Sequence, residues 1–295
     1  MGSFFADLAH NPLLVSSLIG GLLASIACGT VGPLVVGRRI VFLAGAIAHI
    51  ALGGIGCAIA LRYHLGWEWL EPLHGATLAA VLAAIILAVV HHYVQTGLDS
   101  LIGALWSVGM AIGIVLIKIT PGYHVELMSY LFGNLAVVGW DDVWLLASLN
   151  VAVIGLLALG YKRIVAVGLD SEQARLQGIS VLGTNILLLI LVALTVVALT
   201  RIVGLILVIA LLALPAATLA PSMRHLGRLM LACCGLSALL VTLPRIAVYG
   251  SPIAAEAAII LSAGGVYLMV MLARVLRRPR RVAGNPQATL RFRQR

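Results

Sequence analysis

Long apolar runs, broken at short intervals by Gly, Pro and charged residues, make up most of the chain. Runs over residues 12–36, 40–61, 73–92, 100–118, 143–160, 181–200, 203–220, 226–243 and 253–276 reach or approach the roughly 20 apolar residues that cross a bilayer core as a helix. They predict an all-α polytopic membrane protein, a bundle of about nine transmembrane helices. Pro215 interrupts the seventh run, so a bent or partly re-entrant segment, and a count of eight, is the alternative. Residues 1–276 then form one transmembrane domain, and 277–295 a polar, basic tail expected to be disordered.

The exception to this pattern lies at 167–178, the most polar dozen residues between two membrane-length runs. Asp170 followed three residues later by Gln173 has the form of a capping box, and Gly178 is placed to supply the left-handed residue that ends a helix. About two turns of helix are predicted. Ala174 and Leu176–Gln177 leave one side small and apolar, whereas Glu172, Gln173 and Arg175 stay wet, so the segment is suited to lie against another surface. A plain capped turn between two spans is the simpler alternative.

Composition supports the membrane reading: 62% of the 295 residues are hydrophobic and 10% are charged, with a mean hydropathy of +1.13. A soluble domain is about a quarter charged. Charge then sets orientation. With Arg38 and Arg39 placed in the cytoplasm, only Arg62, Lys118, Arg201 and Arg245 of the nineteen Lys and Arg fall outside, as the positive-inside rule requires. This puts the N-terminus outside, the C-terminus inside, and the polar helix in the cytoplasm. The net charge of +9 comes largely from the tail, where Arg277, Arg278, Arg280 and Arg281 suit anionic lipid at about 1 kcal/mol each. No nucleic-acid partner is needed to account for it.

Chemistry-bearing residues are few. Lys118 and Lys162 are the only lysines, and neither follows a glycine, so the chain has no phosphate-binding loop and cannot hydrolyse ATP by that route. No hydrolase signature is present, and no catalytic residue is assigned. Cys28, Cys57, Cys233 and Cys234 show no metal-ligand spacing and predict no disulfide. In the second run, Gly45, His49, Gly53 and Cys57 recur every four residues and share a stripe of small residues that permits close helix packing. His49 lies about ten residues from Arg39, near mid-bilayer at ~1.5 Å per residue. An ionisable group there is a candidate functional site, and neutral imidazole is a common transition-metal ligand. Packing through a hydrogen bond to a neighbouring carbonyl is the equal alternative. Glu256, one turn into the last run, is a weaker candidate for a second metal ligand and is more simply a carboxylate at the outer surface. His64, Glu68, Glu71 and His74 crowd one outer loop, and Asp141 and Asp142 another. Asn150 and Asn185 are expected to hydrogen-bond between helices.

Several blocks, taken in order, resemble the membrane subunit of the zinc/manganese/iron ABC importers. They are Val35-Val36-Gly37-Arg38-Arg39 followed by the His49 run; Ser129-Tyr130-Leu131-Phe132-Gly133-Asn134-Leu135 before Trp140-Asp141-Asp142-Val143-Trp144; the polar segment 170–178; and Val203-Gly204-Leu205-Ile206-Leu207-Val208 leading to Leu214-Pro215-Ala216-Ala217-Thr218. The resemblance runs from about residue 20 to 271. It implies a multi-pass permease of the bacterial inner membrane that works as a homodimer, with a separate cytoplasmic ABC ATPase and a periplasmic or extracellular metal-binding protein as partners. It makes Asp170, Ser171, Glu172, Gln173, Ala174, Arg175 and Gly178 the helix that couples to the ATPase. No cofactor is expected to stay bound; the cargo is a divalent metal, zinc first, with manganese, iron or a metal complex next. A membrane sensor or assembly factor built on the same bundle is the competing class. Members of that family commonly carry an acid four residues before the histidine, where this chain has Gly45.

A cysteine placed at Ser3 is expected to react with an impermeant reagent added outside the cell, and one at Gln294 to be protected. Labelling of both ends from one side overturns the odd span count.

Overall fold

The computed structural model describes residues 7–8, 10–94, 98–121, 133, 135 and 138–277. Ten α-helices follow in order: α1 (Pro12–Gly37), α2 (Val41–Leu65), α3 (Pro72–Tyr93), α4 (Leu98–Ile119), α5 (Trp140–Leu169), α6 (Ser171–Leu176), α7 (Val181–Val203), α8 (Leu205–Leu219), α9 (Leu226–Val248) and α10 (Ala255–Arg277). No strand occurs among the described residues. Among them, nine helices are long and apolar enough to cross a membrane, and only α6 is not.

Helix ends fall where local chemistry places them. The Asn11 side chain accepts from the Leu13 N–H at 3.0 Å, with Pro12 in the first turn. The Ser180 hydroxyl accepts from the Gly183 N–H at 3.1 Å to open α7. Gly204, at φ 81°, separates α7 from α8 by a single residue. Its proline therefore does not break the seventh run. Pro215 lies within the continuous fifteen-residue α8, which runs on into a 3-10 turn over Ala220–Ser222; the ring removes one backbone donor without ending the helix. The fifth run departs most from expectation. It was expected to stop at 160, yet α5 extends for thirty residues to Leu169. Tyr161, Lys162 and Arg163 are compatible with helix and can carry their polar tips to the membrane surface, so nothing ends the helix before Asp170.

With lipid as solvent, helices gain little from hiding apolar side chains, and close packing of small residues decides which ones touch. The most enclosed helix is α2, with 83% of its central window buried. A Cβ at Gly53 would lie 2.7 Å from the Gly109 carbonyl oxygen of α4, and one at Gly56 would lie 2.7 Å from that of Gly113. On another side of α2, Gly54 and Gly75 of α3 meet backbone to backbone. A second group forms where α1 packs on α8 and α9, with α10 against α8. Bridging the two groups is α7, which packs on α3 and α5 and also touches α1 and α2. Polar groups fasten the assembly: Asn150 of α5 donates to the Leu23 carbonyl of α1 at 3.0 Å, and Arg201 pairs with Asp142 at 2.8 Å.

Gly109→Ala is expected to lower stability in detergent by about 1–3 kcal/mol, because its methyl would lie 2.9 Å from the Ile50 Cα. Gly103→Ala, on the same helix with open space beside it, is expected to leave the melting temperature unchanged or slightly raised. Comparing the two melting curves checks the α2–α4 contact.

Candidate transport pathway and coupling segment

His49 is 6% exposed within α2. Its Nδ1 is 2.8 Å from the Gly45 carbonyl oxygen. A carbonyl can only accept, so Nδ1 carries a proton, and in the neutral form of the ring Nε2 then keeps a free lone pair. The packing role foreseen for this histidine is thus present, and it leaves one nitrogen for other use. The imidazole lies against Trp106 of α4, with ring centroids 4.2 Å apart and planes tilted by 33°. Trp106 also covers Gly45, where a Cβ would approach Cζ3 at 3.1 Å. Both rings border a cavity of about 420 Å³ that is otherwise walled by α8, including Leu205, Ile209, Ala213 and Leu214. No carboxylate lines it, and no cluster of three or more His, Cys, Asp or Glu with metal-binding geometry exists among the described residues.

Trp106 was missed by sequence reasoning. Its only signal is its position one turn before Gly109, and that matters only once the α2–α4 register is known. Of the small-residue stripe, Gly45 and Gly53 pack closely as expected, with α4 the partner, whereas Cys57 is exposed and Gly56 makes the next contact.

Glu256 corrects the expectation of a surface carboxylate. It is 8% exposed, and its Oε1 accepts from the Leu135 N–H at 2.7 Å. Arg245 of α9, 6% exposed, lies within electrostatic reach and donates to the Ser17 hydroxyl. A buried carboxylate needs such compensation. Glu256 is not among the residues lining the His49 cavity. The crowded loops also have structural uses. The Glu71 N–H donates to His74 Nδ1 at 3.3 Å where α3 begins, and Asp142 takes part in the ion pair with Arg201.

The polar segment forms the helix foreseen for it. Asp170 Oδ1 accepts from the N–H groups of Glu172 and Gln173, both at 3.0 Å. The cap is one-sided, because the Asp170 N–H donates to the Ala166 carbonyl that ends α5. Gly178 is left-handed at φ 78°, and the Ile179 N–H closes the helix onto the Ala174 carbonyl at 3.0 Å. Ala174 is buried against the bundle, whereas Leu169 and Leu176 are 83% and 88% exposed. The apolar side therefore splits: Ala174 faces inward, and two leucines flank the exposed surface that Glu172 and Arg175 share. The block over 129–132 and Asn134, the first six residues and the tail beyond 277 lie outside the described residues.

Among the described residues, nine membrane-length helices, a short capped helix strung between two of them and a buried histidine beside a cavity make up a polytopic membrane bundle suited to transport. Residues 10–274 match the ABC 3 transport family, and the chain belongs to it. The resemblance read from its residues, to the membrane permeases of metal-ion ABC transporters, holds; ATP hydrolysis lies in a separate chain. The chain is 39% identical over 204 residues to a probable metal transport system membrane protein of Chlamydia trachomatis, covering 69% of each. It is 31% identical over 215 residues to the manganese transport system membrane protein MntC of Halalkalibacterium halodurans, covering 73% of this chain and 71% of that one. A solved structure, PsaBC from Streptococcus pneumoniae in complex with Fab, superposes with a TM-score of 0.79 at 28% identity, over 92% of this chain and 95% of that one.

Ala174→Pro is expected to leave the protein inserted in the membrane. It removes the Ala174 N–H bond to the Asp170 carbonyl, 3.0 Å long, and so distorts α6. Binding of the ATPase chain, measured by co-purification, is expected to fall along with transport. Normal transport by a stably assembled variant would overturn the expectation that α6 couples the chain to its ATPase.

Proposed function

We propose that the chain is the permease of an importer for a divalent transition metal, with zinc the first cargo. The observation that supports this reading most is the free Nε2 of His49 beside a cavity without a carboxylate. Imidazole suits zinc, iron and copper, whereas manganese favours oxygen ligands. A single nitrogen binds weakly enough to let an ion leave, as conduction requires. Two copies of the chain around a shared pathway would supply two such nitrogens, and this is the reason to prefer a homodimer. In this reading α6 docks on a cytoplasmic ATPase through Leu169, Leu176, Glu172 and Arg175, and a metal-binding protein delivers cargo at the opposite end. The N-terminus lies outside a bacterial inner membrane, the basic tail lies against its cytoplasmic lipid, and no cofactor stays bound. Alternating access then follows from motion of the bundle around His49. Manganese is the second reading, favoured by the printed function of the MntC relative.

The test is uptake of zinc and of manganese by vesicles containing the permease with its ATPase and metal-binding protein. His49→Ala is expected to cut zinc uptake at least about tenfold while dimer and ATPase assembly persist. His49→Gln is expected to fold and to transport no better. If His49→Gln restores both folded yield and uptake, the histidine serves packing alone. Full uptake by folded His49→Ala would remove it from the pathway, and selective manganese uptake by the unaltered complex would replace zinc.

A further inference from the structure

Arg38 ends α1 on the same side of the bundle as α6. Its Nη1 donates to Asn185 Oδ1 at 3.1 Å, and its Nη2 to the Ile164 carbonyl at 2.8 Å. Ile164 lies in the penultimate turn of α5 and Asn185 in the second turn of α7. One guanidinium therefore spans the two helices between which α6 is strung. Gly168 gives it room: a Cβ there would lie 2.9 Å from Arg38 Nε. Beside the guanidinium, a cavity of about 40 Å³ bordered by His91 and Leu188 is large enough for about one water.

The other end of this link is equally constrained. Arg39, at φ 58°, is the only left-handed non-glycine residue among those described. The Ile40 N–H donates to the Val35 carbonyl at 3.0 Å, so the corner from α1 into α2 is a closed turn with little freedom. From that corner α2 runs directly to His49 in its third turn. A rigid corner clamped to both arms of α6 moves with them.

We propose that Arg38 is the positioning residue through which displacement of α6 reaches the helix that carries His49. This rests on the reading of α6 as the segment that engages the ATPase. The planar fork is what the role demands: it holds two acceptors on different helices at once, which a lysine ammonium, a point charge on a flexible stem, does not do with the same geometry. Half-buried, the guanidinium stays charged while its two acceptors offset lost hydration. Without it, α5 and α7 can follow α6 while the α1–α2 corner stays behind.

Two measurements on the full complex test this. In vesicles, Arg38→Lys and Asn185→Ala are expected to assemble and to keep ATP hydrolysis within about twofold, yet to consume severalfold more ATP per ion imported. A purely structural role would lower folded yield and leave that ratio alone. The second measurement needs no cargo: spin labels at Gln177→Cys, at the end of α6, and Phe42→Cys, both exposed sites, in a background without the native cysteines, report the distance from α6 to α2. With Arg38 present, the distance is expected to hold when ATP is added. With Arg38→Gln it is expected to shift and broaden. An unchanged ATP-to-ion ratio in the variants, or label distances that respond to ATP identically with and without Arg38, would overturn the proposal. If the unaltered complex imports no metal, the reading of its function fails while the label distances still decide the role of Arg38.

Discussion

The backbone-to-backbone approach of α2 to its neighbours is the constraint on which the rest of the bundle depends. Gly53 and Gly56 meet carbonyls of α4 across gaps that a single methyl would close, and Gly54 does the same with α3. Where the solvent is lipid, such contacts replace the hydrophobic drive of a soluble core, and their gain is dispersion between well-fitted surfaces. They also set register. With Gly109 seated on Gly53, Trp106 one turn earlier necessarily covers Gly45 and the His49 ring. His49 is thereby held by packing that begins more than a turn away from it.

A second constraint acts on the polar groups. Hydrocarbon offers no partner to an amide, a guanidinium or a carboxylate, so each one placed among the spans must find its partner in the protein. Asn150 reaches the Leu23 carbonyl, Glu256 the Leu135 N–H, Arg245 the Ser17 hydroxyl, and Arg38 two acceptors on two helices. The contacts of Asn150 and Arg38 join α1 to α5 and α7, across groups, whereas that of Arg245 fastens α9 to α1 within one. The glycine seams fasten neighbours into groups, and the Asn150 and Arg38 contacts tie group to group. A bundle built this way has stiff parts and discrete joints, which is the arrangement that alternating access between two states needs.

The His49 region lacks the donor set of a resident metal centre. Its imidazole borders a cavity lined by leucine, isoleucine and alanine, and among the described residues no metal-binding cluster stands beside it. A resident ion requires three or four ligands with supported geometry. A passing ion requires a foothold from which it can depart. Trp106 supports the imidazole and stands where a side chain at position 45 would otherwise reach.

Much of this was legible in the residues themselves. Nine spans follow from run length and α6 from the Asp170 and Gly178 signals, because each depends on residues near one another in the chain. The glycine stripe announced close packing of α2 but not its partner. Tertiary structure alone decided that Trp106 lies on His49, that Arg38 spans α5 and α7, and that Glu256 turns inward to a backbone N–H instead of outward to water. The run of α5 past Lys162 and Arg163 to Asp170 is local instead: polarity had suggested an earlier stop, but no residue before Asp170 ends the helix. The reason is common to the first three. Hydrophobic periodicity and capping are local properties of a helix, whereas the rotation and height of one helix against another arise from contacts between residues tens to hundreds of positions apart, which no single run of sequence records.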